Sequence, residues 1–592
     1  MRFKNIIKRN DGETARKQPL PWIANPVAPG PKSHQNDHVV SEPNSKENSQ
    51  LEGWESTTRE TSLNNKLPLF RRRNAAPIEL FYDLFFVANL SSFTSTHEIN
   101  TTANLTAYAG YISLLWFVWL QTTFFDLRFH TDSVLSRVFR ALHLGIMAGF
   151  AVLGPNFDPS HPMAKPHEFR NMSLVLMTCR IILALQYASI VWYIKGYRRT
   201  VSPTLLVIIT LLAAAMAYLG LAFTFTKTSG HLAFIAWYVI GAVEAVFMIS
   251  ISSFWRVLSF KETAIVERFN GMTLIVLGEG VVGMTKAATR VAQGATNIPK
   301  SSIGLIISYI LIIYFIYTIY FDQISEKRFG SIRQQIWAIL HFPLHMAILL
   351  TIEGSRGWIM WDVANHIVVH ATARAVIFFD RFSASQSSSA AQEIVTQLKL
   401  IVAAVAKRLR YPQPMPDFNS IYNRLLSLPE DDNRWDVEAS ALFEEFFNKL
   451  YLWVMGTFGI QLPQLDGTGE QILEQQNKEV SSKFYVLFAY FFIAAGLTLV
   501  FLASLHWFGK THKTRGEVLS IVLTTLIGAG LAFISMFVTV AKNAAAVEET
   551  PFSSFLISGW IVPTVVLTYG LVIVIDNLII WISYRRWIRR AH

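Results

Sequence analysis

Apolar runs long enough to cross a membrane recur along the chain from residue 77 onward. A hydrocarbon core of ~30 Å needs about 20 apolar residues in a helix. The pattern supplies about 12 such segments, which centre on 78–97, 107–126, 138–154, 172–194, 204–226, 232–254, 264–285, 302–321, 333–353, 484–508, 517–541 and 556–582. It therefore predicts an all-α, polytopic membrane protein.

Composition agrees with this fold class and excludes several functions. Hydrophobic residues make up 52% of the chain and charged residues only 16%, whereas soluble domains carry about 25% charge. Cys179 is the only cysteine, which excludes a disulfide framework and a cysteine-rich metal site. The net charge of +11 is typical of basic cytoplasmic loops, and we expect no cofactor and no nucleic acid.

Polar stretches divide the chain into six parts. Basic loops fall on one side of the membrane, apart from one contrary loop that contains Lys286, Arg290 and Lys300. This pattern predicts that both termini are cytoplasmic, in a plasma membrane or an endomembrane. Asn100 and Asn104 begin N-x-T sequences on the opposite side and are glycosylation candidates. The predicted parts are a disordered cytoplasmic tail (1–76), a first six-helix half (77–256), the first three helices of a second half (257–353), an external insert with amphipathic helices (354–482), the last three helices (483–584) and a basic cytoplasmic C-terminus (585–592).

Polar landmarks recur in the same order in both halves. Glu79 corresponds to Glu267, and the aspartate and histidine landmarks follow in helices of the same rank. Six helices is an even number, so both halves enter the membrane in the same direction and form two parallel six-helix repeats. The alternative is chance similarity between apolar sequences.

Two motifs resemble those of a known family. The first is Glu79-Leu-Phe-Tyr-Asp83-Leu-Phe-Phe-Val87, followed by His97, and the second is Glu267-Arg-Phe269 followed by Ile275-Val-Leu-Gly-Glu-Gly-Val281. They resemble the low temperature requirement A family, and the long tail and external insert resemble its larger fungal members. The resemblance implies a fold and a membrane location and leaves reaction and substrate open.

Ionisable residues inside the spans are the candidate site. Each costs at least ~2.5–3.5 kcal/mol at the middle of the bilayer, so a function or a partner must explain it. Glu279 lies 12 positions after Glu267, about 18 Å along a helix, and glycines flank it. The transport or ion-pathway candidates are Glu79, Asp83, His97, Asp126, His143, Arg180, Glu244, Glu267, Glu279, Asp322, His341 and Asp576.

Specific pairings follow from these positions. Asp126 with His143, and Asp322 with His341, are spaced to form two Asp–His couples that suit either a proton relay or the locking of neighbouring helices. Arg180 requires a carboxylate partner, for which Asp83, Glu244 and Glu279 are candidates.

A polar stripe follows the ninth span. Asp362, His366 and His370 are four residues apart and are a weak candidate metal site, since no fourth ligand is visible. The alternative is that 357–382 lies on the membrane or against the helix bundle.

These observations favour an ion transporter or channel with protons as cargo or coupling ion. The alternative is a non-transporting membrane scaffold or sensor in which buried polar residues are structural. We do not expect an enzyme, since a lipid-directed activity would have to rest on the stripe at 362–374. The lipid bilayer is the expected partner, with an ion or proton as substrate, and a homo-oligomer is compatible with the sequence.

Overall fold

The residues that the computed structural model of this chain describes form α-helices, with no β-strand among them. The predicted tail, 1–76, lies outside the described residues apart from 20–24. The described residues are 20–24, 77–129, 131–195, 198–225, 232–255, 258, 260, 263–292, 298–323, 331–385, 388–409, 415–428, 435–458, 469–538, 555 and 558–591.

The helices follow the apolar pattern closely. In chain order they are α1 (Pro77–Thr96), α2 (Thr102–Phe129), α3 (Val134–Leu153), α4 (Pro166–Ile194), α5 (Arg198–Ala222), α6 (Ile235–Phe254), α7 (Ile265–Ala292), α8 (Lys300–Asp322), α9 (Ser331–Ser385), α10 (Ser388–Arg408), α11 (Asn419–Leu426), α12 (Trp435–Thr457), α13 (Gly469–Gly509), α14 (Arg515–Phe533) and α15 (Ile561–Ala591).

Eleven of the described helices are long and apolar enough to cross a membrane, namely α2 to α9 and α13 to α15. The all-helical, polytopic fold is thus confirmed. Helix α1, which the sequence predicts as the first of about twelve spans, is not among the eleven, and it contains the buried acids Glu79 and Asp83. The count of twelve and the internal repeat stay predictions.

The chain forms two compact units that do not coincide with the predicted halves. Helix α1 belongs to the second unit, whereas the sequence places it in the first half. Unit 1 comprises Met1–Pro77, Leu114–Leu153 and Met163–Ile265, and unit 2 comprises Ile78–Ser113, Gly154–Pro162 and Val266–His592.

Unit 1 has an aromatic core between its helices. Trp237 of α6 is fully buried, its indole N–H donates to Ser173 Oγ of α4 at 3.0 Å, and its ring stacks on Phe169 with centroids 5.7 Å apart. Buried tryptophan is stable here because its one polar atom has a partner.

Unit 2 is built around α9, which is 55 residues long. At 1.5 Å per residue it extends for about 80 Å, more than twice a hydrocarbon core. The helix passes through the predicted boundary at residue 353 without a break. A Cβ atom at Gly354 would lie 2.7 Å from Phe491, and one at Gly357 would lie 2.8 Å from Leu487. These glycines therefore admit α13 against α9 and do not end the helix.

The insert contains the two helices that the sequence predicts, α10 and α12, and the short α11 between them. Helices α10 and α12 both pack against α9, and Phe379 contacts Phe443 with ring centroids 4.3 Å apart. The segment 357–382 thus continues α9 and packs against other helices.

The contact between α13 and α14 gives a test of this packing. A Cβ atom at Gly496 would lie 2.6 Å from the backbone nitrogen of Ala532 and would also meet the carbonyl oxygen of Gly528. Backbone cannot yield cheaply, so we expect Gly496→Ala to cost about 1–3 kcal/mol and to lower the melting temperature in detergent. Gly530→Ala on α14 is the matched control, since its Cβ would enter open space. Equal melting temperatures for the two variants would contradict this packing.

Candidate functional site

Arg268 joins the two sequence motifs inside unit 2. Its Nη2 donates to Asp83 Oδ1 at 2.7 Å, and its Nη1 donates to Asp83 Oδ2. Glu79 Oε2 lies 3.7 Å from Arg268 Nε. All three residues are at most 2% exposed. Two parallel hydrogen bonds between guanidinium and carboxylate are the strongest ion-pair geometry available to arginine, so the charge of Asp83 is neutralised within the protein.

The sequence prediction did not include Arg268 among the site residues. Glu267, which was included, is exposed, because consecutive helical residues point in directions about 100° apart. A Cβ atom at Gly271 would lie 3.6 Å from Leu80, so Gly271 and Arg268 face α1 together. If Glu267 corresponds to Glu79, then Gly271 corresponds to Asp83, and the second motif has no matching aspartate. This difference is the sequence signal that Asp83 needs a partner of another kind.

Further along α7, Glu279 is only 2% exposed. Ser91 of α1 lies beside its carboxylate and accepts a hydrogen bond from Lys286 Nζ at 2.9 Å. Since Asp83 meets Arg268 and Ser91 meets Lys286, α1 and α7 run in the same direction.

An ion pair on α9 faces the same region. Arg356 Nε donates to Glu353 Oε2 at 2.9 Å, and Glu353 is 5% exposed. A Cβ atom at Gly283 would lie 3.0 Å from the Tyr309 hydroxyl and 3.9 Å from Arg356 Cδ. Gly283 is four residues after Glu279 and shares its helix face, so the glycine lets these groups approach the carboxylate's side of α7.

Three buried polar atoms in this region have no hydrogen-bond partner within the described part of the chain. They are Glu279 Oε2 and the hydroxyl oxygens of Tyr108 and Tyr309. Glu279, Glu353 and Arg356 all interact electrostatically with both tyrosines. Buried polar atoms are normally satisfied, which distinguishes these three from the ion-paired groups.

A cavity of about 50 Å³ lies at the end of this region. Glu98, Glu353, Arg356, Lys483 and Tyr490 supply its polar lining. Glu98 lies in the turn between α1 and α2. Burial raises the pKa of its carboxyl group; nearby Arg356 opposes this rise, Glu353 adds to it, and Arg290 opposes it more weakly. We call this space the outer cavity, because the predicted topology places it on the side of the membrane opposite the basic loops.

A larger pocket of about 710 Å³ lies where α8, α13, α14 and α15 meet. It contains the predicted residues Asp322 and Asp576. Ser520 Oγ donates to Asp576 Oδ1, and Gln323 Nε2 donates to Oδ2 at 3.1 Å. His506 and the ion pair of Lys510 with Glu517 also line it. We call it the inner pocket.

The predicted couple of Asp322 with His341 is wrong. His341 Nδ1 donates to the Trp337 carbonyl oxygen at 2.8 Å, and its Nε2 lies 2.9 Å from the Tyr320 hydroxyl. Asp322 is the exposed last residue of α8. Asp322 lies two positions after Tyr320, about 200° around the helix, so the tyrosine points at the histidine and the aspartate points away.

Unit 1 holds the remaining predicted charges in pairs. Arg180 Nε donates to Glu244 Oε2 at 2.9 Å, which is one of its three predicted partners. Asp126 Oδ2 lies 2.6 Å from Arg140 Nη2, and His143 Nε2 lies 2.8 Å from Gln186 Oε1. The predicted couple of Asp126 with His143 thus gives way to an aspartate–arginine pair. Arg140 lies one turn before His143 on α3. Because its guanidinium is always charged, it is a better partner for the Asp126 carboxylate than the histidine.

The profile of a family described as "Bacterial low temperature requirement A protein (LtrA)" matches residues 74–405. This match covers more than half of the chain. The chain belongs to the low temperature requirement A family. Comparison with curated proteins and with solved structures gave no match. In this family member the Arg268–Asp83 pair connects the motif on α1 with the motif on α7, and the matched region ends within α10.

Other predicted residues have local roles in this LtrA protein. His97 stacks on Phe93 with centroids 4.4 Å apart, and its Nδ1 lies 3.0 Å from Thr96 Oγ1. Asn104 Nδ2 donates to Asn100 Oδ1 at 3.0 Å. Glycosylation of either asparagine stays a prediction.

The weak metal candidates do not converge. Asp362 accepts hydrogen bonds from Ser302 at 2.7 Å and Ser301 at 3.1 Å, and the rings of His366 and His370 are 5.6 Å apart. No group of three or more His, Cys, Asp or Glu side chains in the described residues could hold a metal ion. The stripe's aspartate instead binds α8 to α9.

The Arg268–Asp83 pair predicts a large stability effect. Asp83→Asn leaves a buried guanidinium without its main counter-charge, and we expect a loss of about 3–5 kcal/mol, measured as a lower melting temperature and a lower yield of monodisperse protein. Glu445→Gln is the control, because its pair with Arg424 at 3.1 Å is exposed and such pairs contribute about 0–1 kcal/mol. A melting temperature unchanged by Asp83→Asn would contradict the assigned role.

Proposed function

We propose that this LtrA protein transports ions across the membrane through unit 2, with protons as cargo or coupling ion. Glu279 carries the proposal. Its side chain is 2% exposed, and its Oε2 is buried with no hydrogen-bond partner among the described residues. No ion pair of Glu279 occurs among them either.

The environment of Glu279 differs from that of the other buried acids. Asp83 and Glu244 each have an arginine in hydrogen-bond contact, and such pairs hold helices together. Glu244 Oε1 is also buried without a hydrogen-bond partner among the described residues, so what sets Glu279 apart is the lack of an ion pair there. A buried carboxylate without an ion pair is costly unless it binds a proton or a cation. Reversible binding at that position is what a transporter requires.

Ionisable groups on either side of Glu279 support a route along unit 2. Glu98 and Glu353 line the outer cavity, and Asp576 lines the inner pocket. We assign the inner pocket to the cytoplasmic side, because Lys510, Lys513 and Arg333 gather at that end and basic residues are enriched there in membrane proteins. Both chain termini are then cytoplasmic. We propose no enzymatic activity for this protein.

The alternative is a scaffold or sensor that transports nothing. The paired charges favour it, since the pairs Arg268–Asp83 and Arg180–Glu244 account for three candidates, Asp83, Arg180 and Glu244, without any movement of ions. Glu279 distinguishes the two proposals because it is the candidate that such pairing leaves unexplained.

Flux measurements test the transport proposal. We expect purified protein in vesicles loaded with a pH-sensitive dye to dissipate an imposed pH gradient, and Glu279→Gln to lower the initial rate at least about tenfold, since it removes the titrating group. Glu438→Gln, an exposed change on α12, should leave the rate unchanged.

Melting temperatures of both variants complete the comparison. Glu279→Gln should remain within a few degrees of wild type, because the amide keeps the shape of the side chain. No ion or pH flux by the wild type, or equal flux for wild type and Glu279→Gln, would contradict transport. A loss of folding that parallels the loss of flux would favour the scaffold.

A further inference from the structure

We infer that Glu279 takes up a proton from the outer cavity, and that the hydroxyls of Tyr108 and Tyr309 relay it. This inference deepens the proposed function and rests on it for the use to which the proton is put. It identifies the ion as a proton, places its entry on the outer side, and adds Tyr108 and Tyr309, which the sequence patterns do not suggest.

Tyr309 lies near both α7 and the cavity lining, since a Cβ atom at Gly283 would meet its hydroxyl and also Arg356, and Tyr108 interacts electrostatically with the same groups. Tyr108 and Tyr309 are completely buried, and both interact with Glu353 and Arg356, which line the cavity, as well as with Glu279. Since neither hydroxyl oxygen has a hydrogen-bond partner among the described residues, each is free to donate and accept in turn. A relay requires that property.

Gly283 brings one of these hydroxyls to α7. A Cβ atom at Gly283 would lie only 3.0 Å from the Tyr309 hydroxyl. Any side chain at this position would therefore displace the tyrosine. Glu279 lies one turn away on the same face. The spacing Glu279-x-x-x-Gly283, which begins in the second motif, therefore places a carboxylate and a gap for a hydroxyl side by side.

Size and charge favour a proton over a metal cation. A cavity of about 50 Å³ holds a few water molecules and is too small for an ion with its hydration shell. Glu98, Glu279 and Glu353 contribute three negative charges, and the facing cations are Arg356, Lys286, Lys483 and Arg290. This balance provides no net negative charge to hold Na⁺ or K⁺, whereas a proton moves between hydroxyls, water and carboxylates without one.

Glu98 is suited to exchange protons with the outer solvent. It is half-buried in the turn after α1, and burial raises the pKa of its carboxyl group against the opposing charges of Arg356 and Arg290, with Glu353 raising it further. A carboxyl group in this position takes up protons at a higher pH than an exposed one.

Infrared difference spectroscopy of the full-length protein in oriented vesicles tests the inference directly. The probe is a jump of the external pH from alkaline to acidic. We expect a band of protonated carboxyl that is absent in Glu279→Gln. In Tyr108→Phe combined with Tyr309→Phe, the same band should form at least about tenfold more slowly but reach the same amplitude. Tyr422→Phe, in the insert, is the control and should keep the wild-type rate.

Each outcome decides one proposal separately. If the band follows external pH and the paired tyrosine variant slows it, while vesicles show no flux, the inference stands and the transport proposal fails. If Glu279→Gln leaves the spectrum unchanged, or if the tyrosine variant forms the band at the wild-type rate, the inference is overturned. Flux that persists with Na⁺ or K⁺ alone would then identify a metal cation as cargo.

Discussion

The guanidinium of Arg268 is fixed between the carboxylates of Asp83 and Glu79, and this contact determines how α1 lies against α7. Asp83 and Arg268 are 185 positions apart in the sequence, so this interaction brings distant parts of the chain together. With Asp83 bound to Arg268, Ser91 is carried to the level of Glu279 and Lys286. Breaking a buried ion pair of this kind costs several kcal/mol. The pair therefore helps to position Glu279 without taking part in its chemistry.

Two kinds of buried carboxylate can be distinguished among the described candidates. Asp83 with Arg268 and Glu244 with Arg180 are matched pairs that replace the hydration lost on entering the membrane. Glu279 instead lies near two tyrosine hydroxyls and the ion pair of Glu353 with Arg356, and that pair lines a small cavity. Only the second kind can change its protonation or bound ion without leaving an opposite charge unpaired. Gly283 serves this arrangement because a larger side chain would exclude the Tyr309 hydroxyl.

Much of the helical architecture follows from hydropathy alone, because an apolar run of spanning length has few other stable conformations in a bilayer. The continuation of α9 beyond residue 353 was harder to predict. Gly354 and Gly357 are typical of a helix end, but here they admit Phe491 and Leu487 of α13. Glu279 was recognisable from its depth and its flanking glycines. Its surroundings were not, since Glu98, Tyr108, Tyr309 and Glu353 are brought together only by packing. The pairing of Asp126 with Arg140 was missed for the same reason.

The central claim is that Glu279 performs the transport chemistry while the Arg268–Asp83 pair supports the fold. The most direct test is the initial rate of proton flux per folded protein in vesicles, measured side by side for Glu279→Gln and Asp83→Asn, with the melting temperature of each. The account predicts that Glu279→Gln is stable and inactive, and that Asp83→Asn is unstable but transports at the wild-type rate in its folded fraction. An active Glu279→Gln together with an inactive folded fraction of Asp83→Asn would contradict it.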